Sequence, residues 1–315
     1  MEKNNKIEEG ISLIVSCYND GNLLTYFLES VLEQEEINFS FELIVIDNSS
    51  TDNTSEVFNQ FVENFRKKNI NYHYFIENKR GLNHARNRGL AESKYSYTGF
   101  TDADAKLHPY YISNLKKTID LRKPIILCGP YEPWYNTPRP IWFKDCYNQK
   151  YYGDKERFLN IGETPSGINM IFNKSVLKEM HGFGTEIVYT GNNDRGEETE
   201  LFYRYTDKFH SNFIFYSPDL LVYHYTRPQL MRLRNRVKAV WGIGKTQAGY
   251  RRNPGIMRNI KNVLWVMKEL SKDFSKYYLG YYRNEYNYLE NFLVEKIIPK
   301  IFDLSLSLSF MRKSV

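Results

Sequence analysis

A strand, a polar turn and a helix follow one another in FELIVIDNSSTDNTSEVFNQFVENF, residues 41–65. Residues 41–46 are a run dominated by apolar β-formers, and the polar turn begins at Asp47. Asp52 or Thr54 is suited to cap the helix that follows. Apolar side chains then recur at helical spacing at Val57, Phe58, Phe61, Val62 and Phe65. This order predicts one unit of an α/β sheet.

The same alternation occurs on both sides of this segment. It predicts strands at 11–16, 72–76 and 97–101, and helices at 23–33, 81–91 and 109–121. Alternating strands and helices form a mostly parallel sheet with helices on both faces, so the predicted class is α/β and Rossmann-like. In such open sheets, ligands bind outside the carboxyl ends of the strands.

The later sequence is less regular. Residues 129–165 are rich in Pro, Tyr and Trp, with weak periodicity, and we expect a partly ordered surface segment there. A helix at 197–205 and a strand at 220–223 follow, and the pattern beyond Pro228 is helical. From Arg227 onward, 18 Lys and Arg stand against 6 Asp and Glu, a net charge of +12, whereas the rest carries −6. We therefore expect two regions, residues 1–226 and a basic helical extension at 227–315.

Composition excludes several classes. Hydrophobic residues make up 42% and charged residues 25%, which rules out a disordered chain. The three cysteines are far apart and form no CxxC pair, which favours a reducing cytosol over a disulfide framework. The polar start lacks the features of a signal peptide, and no run of about 18 apolar residues occurs. Dinucleotide, P-loop and nucleophile-elbow motifs are absent.

Acidic residues stand where the predicted strands end. Asp47 closes the second strand, and Asp102-Ala103-Asp104 closes the fourth; Glu197-Glu198 opens a helix, and His224 closes a late strand. Two carboxylates at i and i+2 on a turn can face one cation, and oxygen ligands favour Mg²⁺ or Mn²⁺ shared with substrate phosphates. Taken alone, these aspartates also fit ordinary turn residues or helix caps.

Seven short motifs occur in order along the chain. They are VSCYND (15–20), ELIVIDNSSTDNT (42–54), RGLNHARNRGL (80–90), FTDADA (100–105), GINMIF (167–172), GEETEL (196–201) and VYH (222–224). In this order and spacing the chain resembles a family 2 glycosyltransferase of the GT-A fold over roughly residues 10–240. The resemblance implies an inverting hexosyl- or N-acetylhexosaminyl-transferase that uses a nucleotide sugar, typically a UDP-sugar, with Mn²⁺ or Mg²⁺ as cofactor. Its acceptor would be a hydroxyl group in polysaccharide, glycolipid or other glycoconjugate synthesis.

The resemblance also implies roles for individual residues. Asp47 would accept from the uracil ring, Asp102 would contact the ribose side, and Asp104 would bind the metal with His224 completing its shell. Glu198 would be the catalytic base. The full set for the nucleotide sugar is Ser16, Tyr18, Asn19, Asp47, Arg80, Asn83, Arg86, Asp102, Ala103 and Asp104. The acceptor-side candidates are Trp134, Asn169 and Glu197.

The base is the least settled of these assignments. A helix start favours an ionised Glu198. The family more often has Glu-Asp here, and the extra methylene of Glu198 moves its carboxylate by on the order of 1 Å, a distance that matters in catalysis. Glu197 and Asp194 are therefore alternatives, and the acids could also merely cap the helix. Trp134 fits core packing as well as a sugar contact.

Two other functions compete with transfer. A sugar-nucleotide pyrophosphorylase would need a Gly-rich basic loop after the first strand, where this chain has Cys17-Tyr18-Asn19-Asp20. A nucleic-acid-binding module would use the basic tail, but no such motif accompanies the charge, so we expect no nucleic acid partner.

The tail mixes apolar, aromatic and basic residues, notably at 232–241 and 261–270. This composition suits peripheral contact of residues 227–315 with an anionic membrane from the cytoplasmic side, where a lipid-linked acceptor would be met. Packing within the chain or a homodimer, with the charges solvated, is the alternative. A soluble glycan or peptide acceptor would then be the better expectation.

Overall fold

The computed structural model describes residues 7–160, 162–185, 197–209, 213–282 and 284–312. Within these ranges the chain divides into two compact units. The N-terminal unit comprises residues 7–134, 149–185 and 197–225, and the C-terminal unit comprises 135–148 and 226–312. The boundary after Tyr225 lies one residue from the predicted one, whereas segment 135–148 departs from the predicted division.

The first half of the N-terminal unit has four strands that alternate with helices. The strands are β1 (Glu8–Cys17), β2 (Phe41–Asp47), β3 (Asn71–Ile76) and β4 (Tyr95–Asp102). The helices are α1 (Gly21–Leu32), α2 (Thr54–Lys67), α3 (Leu82–Glu92) and α4 (Tyr111–Arg122). These four strands are mutually parallel, in the order β3-β2-β1-β4. The predicted α/β class and its mostly parallel sheet are confirmed.

The second half adds elements that the sequence pattern did not predict. They are short: β5 (Ala105–Leu107), β6 (Ile126–Cys128), β7 (Tyr131–Trp134), β8 (Arg157–Phe158), β9 (Met170–Asn173), α5 (Lys174–Glu179) and β10 (Ile214–Tyr216). The predicted late helix and strand are α6 (Glu197–Phe209) and β11 (Val222–Tyr225). Within the described residues the main sheet has eight strands, extended beyond β4 by β9-β6-β10-β8, with β9 and β8 antiparallel to their neighbours.

Register places the functional ends of three strands side by side. Cys17 pairs with Asp47 between β1 and β2, and Ser16 pairs with Asp102 between β1 and β4. The carboxyl ends of β1, β2 and β4 therefore lie at one edge of the sheet. A second sheet of β5, β11 and β7 continues from β4, and in it His224 pairs with Ala105.

The two faces of the main sheet carry separate apolar cores. Successive residues of a strand point to opposite faces, so Leu13 and Val15 pack with α1 and α2, whereas Ile14 packs with Phe100 and α6 residues on the other side. Seven consecutive residues of β1, 11–17, are buried. Burial on both faces explains why β1 and β2 appear in the sequence as continuous apolar runs rather than alternating ones.

The C-terminal unit is helical, as predicted. Its helices are α7 (Leu233–Tyr250), α8 (Ile256–Tyr278), α9 (Leu289–Phe292) and α10 (Ile298–Arg312), with a π-helical turn at Leu293–Ile297 joining the last two. α7 and α10 approach closely at Gly244, where a Cβ atom would lie 2.8 Å from Ser305. Phe292 is fully buried among Tyr277, Tyr282 and Tyr286. Among the described residues, no helix combines the length and apolar character needed to cross a membrane.

Candidate active site

Asp47 lies buried at the end of β2 with both carboxylate oxygens engaged. The Ser50 amide donates to Oδ1 at 2.8 Å, and the Tyr74 hydroxyl donates to Oδ2 at 2.6 Å. Burial and this hydrogen bond raise the pKa of Tyr74, which therefore stays a donor. Each carboxylate oxygen can accept a second hydrogen bond, so the carboxylate keeps capacity for a ring N–H of a base.

The turn after β1 is tied to the turn after β2. Asn19 has a positive φ of 53°, and its Oδ1 accepts the Thr51 amide at 2.7 Å while its own amide donates to Ser50 Oγ at 2.9 Å. Asn and Asp tolerate this left-handed conformation better than other side chains. Next to it, the Arg80 guanidinium lies over the exposed Tyr18 ring, 4.8 Å from its centroid. An aromatic face and a cation thus stand together beside Asp47.

Asp104 and His224 lie side by side where the neighbouring strands β5 and β11 pair. Asp104 Oδ1 lies 3.5 Å from His224 Nε2, and His224 Nδ1 has no hydrogen-bond partner within the described residues. The Asp104 carbonyl accepts from the Tyr225 amide at 2.9 Å, and Ala103 is buried, its amide donating to the Ser16 carbonyl at 3.3 Å. Main-chain hydrogen bonds on both sides therefore fix this turn.

This pair fits a divalent cation that is shared with a substrate. Two adjacent ligands of an octahedral ion at 2.0–2.1 Å lie roughly 3 Å apart, close to the observed 3.5 Å. In the described parts of the chain, no group of three His, Cys, Asp or Glu side chains could hold a metal by itself. Two protein ligands leave the remaining positions to water and phosphate oxygens, which is how Mg²⁺ is usually held beside nucleotides.

Asp102 lies between the Asp104–His224 pair and the buried Arg86. Burial raises the pKa of Asp102, the Arg86 guanidinium opposes this, and the nearby Asp104 carboxylate adds to it. Asp102 Oδ1 lies 3.6 Å from Arg86 Nη2 and has no hydrogen bond from a described residue. Oδ1 is itself buried, but the side chain as a whole is 27% exposed, so its exposed part can meet a ligand hydroxyl.

Arg86 is placed differently from the expectation that it contacts the nucleotide. The residue is only 1% exposed, its Nη2 donates to the Gly167 carbonyl at 3.3 Å, and its guanidinium lies over the Phe183 ring. Arg86 therefore approaches Asp102 from the interior of the protein and not from the solvent side. Asn83 is also buried, and its side-chain amide donates to the Gly184 carbonyl at 2.6 Å. It therefore binds the loop that contains Gly184.

Glu198 lies in the first turn of α6, partly buried, beside the turn that carries Gly167. A Cβ atom on Gly167 would be 3.4 Å from Glu198 Oε2 and 2.6 Å from Arg86 Nη2. The sequence did not single out Lys150, whose Nζ donates to the Pro165 carbonyl of the same turn at 3.0 Å. Burial lowers the pKa of Lys150, and attraction to Glu198 opposes that shift.

Two cations, Arg86 and Lys150, thus hold the turn on which the Glu198 carboxylate rests. No sequence signal marks Lys150, because it lies in an irregular segment and its neighbours in space are far along the chain. Of the alternatives for the base, Asp194 lies outside the described residues, as does Gly196 of the same motif, and the side chain of Glu197 is not described.

The remaining acceptor-side candidates are packed into the fold. Asn169 is 0% exposed; its Oδ1 accepts from Tyr111, and its Nδ2 donates to the carbonyls of Pro130 and Leu220. Its amide oxygen and both of its amide N–H bonds are engaged within the fold, and its role on the acceptor side stays a prediction. Trp134 is partly buried and contacts the rings of Tyr26 and Tyr225, with Lys106 Nζ 3.9 Å from its ring. The tryptophan keeps only part of its surface for a ligand.

The mostly parallel α/β sheet, with acidic side chains and a histidine at its carboxyl edge, has the fold of a GT-A type glycosyltransferase. The chain belongs to glycosyl transferase family 2, whose model matches residues 12–181. Among its relatives, glycosyltransferase GlyA of Streptococcus pneumoniae is 29% identical over 161 residues, which are 50% of this chain and 22% of GlyA. The matched segment therefore spans about a fifth of that relative.

Two solved structures share the fold. S. aureus TarS 1–349 in complex with UDP-GlcNAc gives a TM-score of 0.52 at 18% identity, covering 76% of this chain and 71% of that one. Mannosyltransferase PcManGT from Pyrobaculum calidifontis, in complex with GDP-Man and Mn²⁺, gives 0.56 at 15% identity, covering 98% and 75%. At such identities the likeness shows the fold alone.

Proposed function

We propose that the protein is a metal-dependent inverting glycosyltransferase that moves a hexosyl or N-acetylhexosaminyl group from a UDP-sugar to a hydroxyl acceptor. The observation that supports this most is the 3.5 Å approach of Asp104 to His224, beside Asp102 and at the same sheet edge as Asp47. A base-binding carboxylate and a cation-binding pair at one edge match the two ends of a nucleoside diphosphate.

The donor would lie along this edge with its base toward Asp47. The spare lone pairs of Asp47 suit the N–H of uracil, and Tyr18 offers an exposed ring for stacking. Arg80, held over Tyr18, would be the cation closest to the nucleotide. Asp102, whose side chain is 27% exposed, would accept from a ribose hydroxyl through its exposed part.

Asp104 and His224 would hold the divalent ion, Mn²⁺ or Mg²⁺. When bound, such an ion stabilises the charge that develops on the leaving diphosphate. The Pyrobaculum mannosyltransferase is in complex with both GDP-Man and Mn²⁺, which supports a metal in this class of site. Asp102 and Asp104 also bring negative charge to the edge, and a cation there lowers their mutual repulsion.

Glu198 would act as the base for the acceptor hydroxyl. The hydroxyl oxygen forms the new bond to the anomeric carbon while the bond to the diphosphate oxygen breaks, and the proton passes to the Glu198 carboxylate. Attack from the side opposite the leaving group inverts the anomeric centre. Lys150 and Arg86 would act on the turn beneath Glu198, keeping its carboxylate in place.

The acceptor would be a glycan, a lipid-linked sugar or a peptide hydroxyl. The cytoplasm is the compartment that fits the reduced cysteines, which include the buried Cys17 and Cys128. Burial raises the pKa of both thiols to about 12, so they stay protonated and unreactive.

The test is a screen of nucleotide sugars for release of the nucleoside diphosphate, with and without EDTA. We expect release that depends on added Mn²⁺ or Mg²⁺ and that is lost in Asp104→Ala with the fold retained. Asp120→Ala, which removes a carboxylate exposed on α4, is the matched control and should keep full activity. Turnover that persists in EDTA would contradict the metal role, and RNA binding without turnover would contradict the enzyme.

A further inference from the structure

Helix α8 leaves two different strips of side chains uncovered by its own unit. Its inner face is marked by Asn259, Val266 and Asp273, which are buried and recur at intervals of seven residues. At 100° per residue, the outer side divides into an apolar half and a basic half. We define the apolar strip as Met257, Ile260, Leu264, Met267, Phe274 and Tyr278, all 36–78% exposed.

The basic strip runs beside the apolar one. It consists of Arg258, Lys261, Lys268 and Lys272, all exposed, with Trp265 among them at 51% exposure. The acidic residues of α8 are only Glu269 and Asp273. Glu269 lies 3.6 Å from Lys272, and Asp273 is buried in an ion pair with Lys300. The outer surface of this fully described helix is therefore apolar on one side and positive on the other.

We propose that these two strips dock the C-terminal unit onto an anionic lipid bilayer. The apolar strip would enter the boundary between headgroups and acyl chains, and the lysines would extend toward lipid phosphates. Trp265, on the basic strip, would then lie at the interface between membrane and water, where tryptophan concentrates in membrane proteins. Arg258 and Lys261 also line an open cleft of about 360 Å³ with Asn262 and Ser307, next to the strip, which gives a phosphate group a recess.

Charge distinguishes this occupant from a second copy of the chain. Two copies joined through this face would bring like-charged strips together within a Debye length of about 10 Å, with no exposed carboxylate on α8 to neutralise them. Nucleic acid would neutralise the basic strip but leave the apolar strip in water. An anionic bilayer satisfies both strips at once, so charge and apolar area favour the same partner.

Docking deepens the proposed function without depending on it. A membrane-bound transferase would meet lipid-linked acceptors, but vesicle binding is measured with no nucleotide sugar present. A protein that binds vesicles but lacks transfer activity would refute only the proposed function. A protein that transfers sugar but ignores vesicles would refute only the docking.

The experiment is co-sedimentation of the full chain with vesicles of phosphatidylcholine containing about one third phosphatidylglycerol, an anionic fraction that creates a negative surface potential. We expect binding at low salt, a marked loss at high salt, and little binding to pure phosphatidylcholine. The blue shift of tryptophan fluorescence on binding should largely disappear in Trp265→Phe, because Trp265 is the tryptophan on this face. If Trp265→Phe binds vesicles with the same blue shift as the wild type, another surface contacts the membrane.

Two triple variants distinguish the effect of the basic strip on vesicle binding from the effect of overall net charge. Each Lys near an anionic surface contributes ~1 kcal/mol, so Lys261→Gln, Lys268→Gln and Lys272→Gln together should weaken binding roughly 100-fold. The control variant carries Lys94→Gln, Lys155→Gln and Lys178→Gln, which are exposed on the N-terminal unit and change the net charge equally. It should bind like the wild type.

Three further results would overturn the proposal. The chain could remain in the supernatant at low salt, or the two triple variants could lose binding equally. Sedimentation equilibrium could also show that the chain is a dimer and that Leu264→Glu dissociates this dimer. If the wild-type chain then does not bind vesicles, this face is an interface between copies.

Discussion

Adding one methyl group at Gly167 tests whether Arg86 braces the active site. The backbone of Gly167 has no positive φ, so alanine brings no conformational strain there and would by itself stabilise the fold by about 0.4–1 kcal/mol. The added Cβ, however, would lie 2.6 Å from Arg86 Nη2, about 0.8 Å short of an ordinary contact. The same Cβ would be 3.4 Å from Glu198 Oε2, which is tolerable.

The guanidinium must therefore move while Glu198 need not. A shift of that size breaks the 3.3 Å hydrogen bond to the Gly167 carbonyl and lengthens the 3.6 Å approach to Asp102. Displacements on the order of 1 Å at supporting residues can reduce turnover by ~10²-fold. Overpacking a core typically costs about 1–3 kcal/mol. We expect Gly167→Ala to lower kcat by roughly 10²-fold. We also expect it to lower the free energy of unfolding by about 1–3 kcal/mol.

The assay is release of nucleoside diphosphate from the donor found by screening, together with urea unfolding. Gly153→Ala is an informative control, because Gly153 has a φ of 110° and open space around it. It should lose stability through backbone strain but keep its kcat. In an Arg86→Ala background, Gly167→Ala should cost no further stability. Wild-type kcat in Gly167→Ala, or an equal stability cost in both backgrounds, would refute the reasoning.

Three further predictions concern single side chains. Glu198→Gln should keep donor binding but lower kcat at least ~10²-fold, and greater damage from Glu197→Gln would move the base by one position. Asp47→Ala should raise the donor KM more than it lowers kcat, because its contact is made equally in ground and transition states; an unchanged KM would leave Asp47 a turn residue. Burial lowers the pKa of Lys174 to about 8, so between that pH and its ordinary 10.5 the unfolded chain binds more protons and stability should rise with pH. Urea unfolding across this window should show less of that rise in Lys174→Met, and identical pH profiles would contradict it.

The sequence predicted the parallel half of the sheet well, because β1 and β2 are long, buried on both faces and followed by amphipathic helices. It failed for β5 and β9, which have three and four residues. Such short strands carry no periodicity of their own and form only because β4 and β11 offer edges to pair with. Residues 129–165 likewise contain β7 and β8, which a pattern of Pro and Tyr does not indicate.

The candidate site divides in the same way. Asp102 and Asp104 were predictable, since their spacing and their place after a strand are local features. Whether Arg86 faces the nucleotide or the interior was not, because its burial depends on Gly167 and Phe183, about 80 and 97 positions away along the chain. The same holds for Asn169, whose partners come from two other loops.

The hydrogen-bond ladder between β5 and β11 has a consequence for how this site can diverge. It sets His224 opposite Ala105, one residue beyond Asp104, and a slip of one residue would turn the imidazole to the other face of the sheet. Every residue type except proline has a main-chain N–H that can donate to this ladder, whatever its side chain. The side chains around the pair can therefore change without shifting the register that keeps positions 104 and 224 side by side.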